Sequence, residues 1–273
     1  MVKAGEAVIS VEDRGFRYGD GAFETLMVQD GVPYQFEWHM ARLAGGLSAI
    51  KIPFSVDDLH GHCRQLLKKN ALKYGILRIQ VTRGASGRGY LPGAAQPTFV
   101  IETSERSLPP SEAVSLWQST EQKISVQALP VRYKLCQGLQ STLARIEAAE
   151  KQCFEALLLN EKGHVCETSS ANLFWFKGGI LYTPSLECGV LEGATRAAIM
   201  RLSPYPVHEV SVGIEALQNA EAVFITNTAW QVVAVNRLLP LGYQWDSVKI
   251  TQRFSQLLAD DRQNYCDMHR EKW

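Results

Sequence analysis

Apolar residues fall at two spacings along the chain, and each spacing predicts its own kind of element. Spacings of three and four recur in EWHMARLAGGLSAI (37–50), SVDDLHGHCRQLLKKN (55–70), GLQSTLARIEAAEK (138–151), GATRAAIMRL (193–202) and SVKITQRFSQLLADD (247–261), which read as helices. In the third of these the repeat is Leu139, Leu143 and Ile146. Alternation, or a short apolar run, marks AFETLMVQ, VPYQF, ILRIQVT, TFVIET, KISVQAL (123–129), EALLLN, ANLFWF, ILYTP, AVFITN and QVVAVN as strands. Asp30-Gly31 between the first two is a two-residue turn that closes a hairpin, and Ser55 with Asp58 forms a capping-box arrangement ahead of the second helix. The irregular interleaving of strands and helices predicts a mixed α/β (α+β) architecture and not a regular βαβ series. The polar, Pro-Pro segment SERSLPPSEA (104–113) is the best linker, so the chain divides into a small N-terminal α/β domain, 1–108, and a larger C-terminal domain, 109–273.

Composition narrows the function. At 46% hydrophobic over 273 residues the chain can build real cores, and 28 basic residues balance 28 acidic ones. No global field therefore draws it to nucleic acid or an anionic membrane, and a small neutral or anionic ligand is the expected partner. The start, MVKAGEAVISVEDRG, has no apolar stretch after a basic one, and no window reaches the length of a membrane span, so a cytoplasmic protein is expected. Six cysteines are scattered without a CxxC pair, which suits reduced thiols. HGHC at 60–63 has no second ligand pair in sequence, and no metal site is expected.

One lysine stands out. Lys134 lies just ahead of the helix at 138, flanked by Tyr133, Leu135 and Cys136 instead of other charges. By itself it reads first as a surface lysine, as most lysines are, and only second as a buried amine that does chemistry. DRGFRYGDGAFETL at 13–26, KLCQGLQSTLARIEA at 134–148, ETSSANLFW at 167–175 and GVLEGATR at 189–196 together resemble, in order and separation, the motifs of the fold-type IV pyridoxal phosphate enzymes. The resemblance implies a D-amino-acid aminotransferase-like fold of two domains, a homodimer, and pyridoxal 5'-phosphate in the cleft between the domains. It places Lys134 as the amine that holds the cofactor aldehyde and moves protons, a role helped by partial burial and nearby cations, which lower an amine pKa from about 10.4 toward neutrality. Glu167 matches the carboxylate that keeps the ring nitrogen protonated. For the phosphate it implies Ala194 and Thr195 at a helix start, Thr228 in ITNTAW, and Arg42 in HMARL. Thr25 lies near the cofactor in the resemblance.

Within the family, FETL and TRGASGRGYLP (82–92) are similar to the aminodeoxychorismate lyase branch. Gly84, Gly87 and Gly89 let backbone approach a ligand, and Arg83 and Arg88 could hold the carboxylates of a dicarboxylate substrate. Leu139, five residues past the lysine, stands where branched-chain aminotransferases carry tyrosine, but D-amino-acid aminotransferases also have leucine there. Both aminotransferase readings stay open at this point, as does a non-catalytic carrier of the cofactor.

Overall fold

The computed structural model describes residues 1–94, 96–106 and 108–273. They form two compact units: Met1–Arg106 with Tyr133–Gly138 and Asn264–Trp273, and the segment between Arg106 and Tyr133 with Leu139–Gln263.

In the first unit a short helix, α1 (Arg14–Tyr18), leads into β1 (Gly21–Gln29), β2 (Val32–Pro33), the helices α2 (Phe36–Ala49) and α3 (Leu59–Lys69), and the strands β3 (Tyr74–Thr82) and β4 (Thr98–Ser104). The strands make one antiparallel sheet in the order β2-β1-β3-β4. Asp30 and Gly31 both have positive φ, 52° and 80°, as the predicted hairpin turn requires. β1 and β3 pair over nine residues, from Gly21 opposite Thr82 to Gln29 opposite Tyr74. Ala22, Leu26 and Val28 alternate onto the face that packs against Met40, Leu43 and Leu47 of α2 and Leu59, Cys63 and Leu67 of α3. Each such large side chain contributes about 1.5 to 3 kcal/mol on burial. Packing thus holds α2 together despite Gly45-Gly46 in its middle.

Two expectations fail in this unit for local reasons. VPYQF is extended only to Pro33, because Gln35 turns left-handed at φ 57° and starts α2. The capping box does not form: the Ser55 hydroxyl accepts from the Asp57 N–H and donates to the Asp57 carboxylate, and Asp58 caps α3 without a side-chain bond.

The second unit contains β5 (Val114–Gln122), α4 (Leu139–Glu150), β6 (Glu155–Leu159), β7 (Val165–Thr168), β8 (Asn172–Lys177), β9 (Ile180–Pro184), α5 (Ala194–Leu202), β10 (Val207–Val210), β11 (Ala222–Asn227), β12 (Gln231–Leu239), β13 (Tyr243–Gln244) and the start of α6 (Val248–His269). Strands β8-β11-β12-β5-β6-β7 run side by side, and β7 returns to β8 through Glu167 opposite Asn172, which closes a barrel. Leu116, Leu157, Val165, Leu173, Ile225 and Val233 bring all six strands into one apolar cluster. Phe174, Phe224 and Val232 pack with Ala198 and Ile199 of α5 and Phe254 and Leu258 of α6.

Here too the sequence reading needs correction. KISVQAL is not a strand: Ser125 accepts from the N–H groups of Ala128 and Leu129, and its hydroxyl accepts from Gln127, so the run folds into a turn. The strand is Val114–Gln122, one segment earlier. The helix at 139–150 is present, but its Leu139, Leu143 and Ile146 stripe is 71%, 43% and 50% exposed, while the small Ala144 and Ala148 are buried. Among the described residues no helix is long and apolar enough to cross a membrane, and no group of three His, Cys, Asp or Glu side chains is placed to hold a metal.

Candidate active site

Lys134 belongs to the first unit, on a segment laid beside the start of β1. Its carbonyl accepts from Phe23 N–H at 2.9 Å, and Cys136 N–H donates to Gly21 O at 2.9 Å. Tyr133 anchors the segment: a Cβ added at Gly45 would come within 2.7 Å of its ring, so only glycine lets α2 approach so closely. The half-buried Lys134 places Nζ 4.6 Å from the Phe23 ring centroid, and the Arg78 guanidinium lies 4.3 Å from that centroid. Thr25, two residues along β1 from Phe23 and opposite Arg78, shares this face by alternation. Arg78 also donates to Gln80 at 3.2 Å and lies 3.5 Å from Glu102. The sequence reading passes over it because it sits at an ordinary outward position of an alternating strand.

The opposite face of β1 carries a charged residue among apolar ones. Glu24 is fully buried and accepts from Arg42 Nε at 2.7 Å, Arg42 Nη2 at 2.6 Å and His39 Nδ1 at 2.6 Å. Burial opposes its ionisation, but the charge of Arg42 and the bond to His39 outweigh it and hold the carboxyl down at about 2. Burial, reinforced by Arg42 and Lys134, keeps His39 below its ordinary value despite Glu24. Arg42 was assigned from sequence, whereas Glu24 and His39 were not. The signals were an acidic residue at a core-facing strand position and the i, i+3 spacing of His39 and Arg42.

The two loop arginines differ sharply. Arg83, read from sequence as a carboxylate holder, already has its fork filled by Asp20, from Nε at 2.7 Å and Nη2 at 3.0 Å, and by the carbonyls of Ile50 and Lys51, each at 2.7 Å. It is a structural clamp in this arrangement. Arg88 is exposed and makes no hydrogen bond or ion pair among the described residues.

The second unit gathers the remaining candidates. Glu167, 5% exposed on β7, accepts from Lys123 Nζ at 2.5 Å on one oxygen and from Asn172 Nδ2 at 2.8 Å and Leu191 N–H at 3.0 Å on the other. A carboxylate has about four acceptor positions, so one remains for a further donor such as a protonated ring nitrogen. Lys123 balances its charge. That partnership escapes the sequence, where Lys123 sits in a supposed strand 44 residues away. Ala194 and Thr195 open α5, whose N-cap, Gly193, makes no side-chain capping bond. Both residues are buried, so this end offers N–H donors suited to an anion. Among the described residues the buried Thr226 hydroxyl on the neighbouring β11 has no partner, and half-buried Thr228 follows two residues later. An acceptor for a protonated ring nitrogen and the N–H donors of an uncapped helix start are the two kinds of partner a phosphorylated pyridine needs.

Comparison with known proteins agrees with this chemistry. The amino-transferase class IV family model matches residues 21–238. The aminodeoxychorismate lyase of Bacillus subtilis strain 168 is 29% identical, with 95% of this chain and 91% of that protein covered. The crystal structure of 4-amino-4-deoxychorismate lyase from Pseudomonas aeruginosa is similar at TM-score 0.83 and 30% identity, covering 93% of this chain and 96% of that one. The branched-chain amino acid aminotransferase of Escherichia coli is similar at TM-score 0.88 and 26% identity, covering 94% and 90%. With its antiparallel sheet, its closed barrel and the acceptor and donors of its second unit, the chain belongs to the amino-transferase class IV family and is a fold-type IV enzyme of pyridoxal phosphate.

Proposed function

We propose that the chain is an aminodeoxychorismate lyase, converting 4-amino-4-deoxychorismate to 4-aminobenzoate and pyruvate, a step toward folate. The observation that carries this is Arg88: a cation with no partner among the described residues on a Gly-rich loop, in a unit where Arg78, like Lys134, lies against the Phe23 ring. Two cations suit a substrate with two carboxylates.

Pyridoxal phosphate, when bound, supplies an aldehyde that captures the substrate amine and a ring that accepts electron density from the adjacent carbon. Lys134 would hold the aldehyde at rest and take the C4 proton of the substrate; as the ring carbon–oxygen bond to the enolpyruvyl group breaks and the ring becomes aromatic, it would return a proton to the methylene carbon of the departing group, giving pyruvate. Thr25, on the same face, orients that transfer. Glu167 receives the ring nitrogen at its remaining acceptor position, fixed by Lys123, Asn172 and Leu191. Ala194, Thr195 and Thr228 would hold the phosphate, whereas Arg42 has Nε and Nη2 on Glu24.

Glu167→Gln replaces an anion by an amide that does not favour a protonated ring nitrogen. Turnover is expected to fall at least about tenfold, or about 1.4 kcal/mol in barrier, with bound cofactor retained. Unchanged turnover at normal cofactor content would make Glu167 a structural residue only.

The lyase reading is tested by product analysis of the purified protein with aminodeoxychorismate and no keto acid. Many equivalents of 4-aminobenzoate and pyruvate per site are expected, because a lyase needs no second substrate. One equivalent or less, or a rate that depends on added 2-oxoglutarate, would favour the second reading, an aminotransferase for branched-chain or D-amino acids, supported by the fold likeness to the branched-chain enzyme. No product in either case would point to a carrier of the cofactor. The proposed enzyme is cytoplasmic and a homodimer, the second of these supported by the exposed Leu139, Leu143 and Ile146 stripe of α4, an apolar face suited to a second copy.

A further inference from the structure

The stretch DRGFRYGDG and the Gly-rich loop lie about 70 residues apart in sequence, yet one buried side chain joins them. Arg14, 3% exposed on α1, donates from Nη1 to Gly89 O at 2.8 Å, from Nη2 to Tyr90 O at 3.1 Å and from Nε to Asp20 at 2.9 Å. Its guanidinium lies 4.7 Å from the Tyr18 ring centroid, and the Tyr18 hydroxyl accepts from Gly89 N–H at 3.1 Å. At the base of the loop, Arg14 N–H donates to Gly84 O at 3.0 Å. Asp20 is shared with Arg83, and although burial opposes its ionisation, Arg83 and Arg14 hold it below the ordinary carboxylate value.

We propose that Arg14 is a positioning residue for substrate: by gripping both peptide groups around Gly89, with Tyr18, it fixes the direction in which Arg88 leaves the chain. This rests on the reading of Arg88 as the group that meets a substrate carboxylate. Gly89 N–H belongs to the peptide bond from Arg88, and Gly89 O to the next one, so the two contacts immobilise the chain on one side of Arg88. Gly84, Gly87 and Gly89 would otherwise leave the loop many conformations, and substrate binding would carry the cost of ordering it. Only the planar fork of arginine reaches two successive carbonyls while keeping Asp20, and a lysine offers a single point of donation.

The test is a double-mutant cycle on the loaded enzyme, using whichever amino substrate the product assay shows to be turned over, so a failed lyase assignment leaves it intact. Arg14→Met is expected to raise KM at least about tenfold while kcat falls less than about threefold. Cofactor content should be unchanged, and trypsin cleavage after Arg88 should accelerate. In an Arg88→Ala background the same substitution should change KM by less than about twofold, because both act through one contact. Arg14→Lys should fall between. An equal KM effect in both backgrounds, or a freed loop with unchanged KM, would overturn the proposal. If Arg14→Met does not fold, Tyr18→Phe carries the cycle: a smaller rise in KM that vanishes with Arg88→Ala supports the inference, and one that persists, or no rise, overturns it.

Discussion

Replacing Lys134 by alanine is expected to lower turnover by about 10⁴-fold or more, about 5.5 kcal/mol in barrier, which makes it the largest single effect at the candidate site. The amine has two proposed tasks, holding the cofactor aldehyde and moving protons, and it lies 4.6 Å from the Phe23 ring centroid on the face of β1 that also carries Thr25. Borohydride treatment of the wild-type protein should leave the cofactor covalently on one peptide, the one containing Lys134. Label on Lys123 would be the informative failure, because that ammonium already sits on Glu167. Either that result or near-normal turnover of Lys134→Ala would displace Lys134 from the centre of the mechanism.

The second large effect concerns stability. Glu24→Leu leaves Arg42 buried without its bidentate partner, and such a broken pair costs about 3 to 5 kcal/mol. Chemical denaturation should show the loss as a lower midpoint. The same residue sets an acid limit. Its folded pKa, about 2, lies below the ordinary 4.5, so its contribution is fully present above pH 4.5 and is lost as the pH falls toward 2. That shift corresponds to about 3 kcal/mol. His39, depressed below 6.5, has the same sign: its contribution is present above that pH and is lost on acidification. Wild-type stability should therefore fall steeply below pH 4.5, and Glu24→Leu should flatten that part of the profile. An equally steep fall in the variant would assign the acid limit to other carboxylates.

Much of the fold was legible because periodicity survives where one face is buried, as in β1 and α6, and because a strand buried on both faces, such as β8, reads as a short apolar run. It misled where burial did not follow apolarity. α4 exposes leucines and buries alanines, and VSLWQSTEQ pairs as β5 although serine, threonine and glutamine dilute its alternation. The candidate site was legible as separate motifs, since each of Lys134, Glu167 and GATR is local in sequence. Their partners were not. Glu24 with Arg42, Lys123 with Glu167 and Arg14 with Gly89 are set by strand register and loop path, which no local pattern encodes. Arg83 shows the limit from the other side: an arginine in a Gly-rich loop reads as ligand-binding until its fork is seen to be full.

The seam of the barrel has a further consequence. β7 returns to β8 through a single residue pair, Glu167 with Asn172, and the Glu167 carboxylate also bonds the Asn172 side chain and the Leu191 backbone. Under the proposed role of Glu167, the residue that closes the cylinder is also the one that receives the cofactor ring. Occupancy and closure are then two descriptions of one equilibrium, and free cofactor at one hundred times its Kd would add about 2.7 kcal/mol against any opening that abolishes its binding. The narrowest join in the second unit becomes its ligand-tightened clasp.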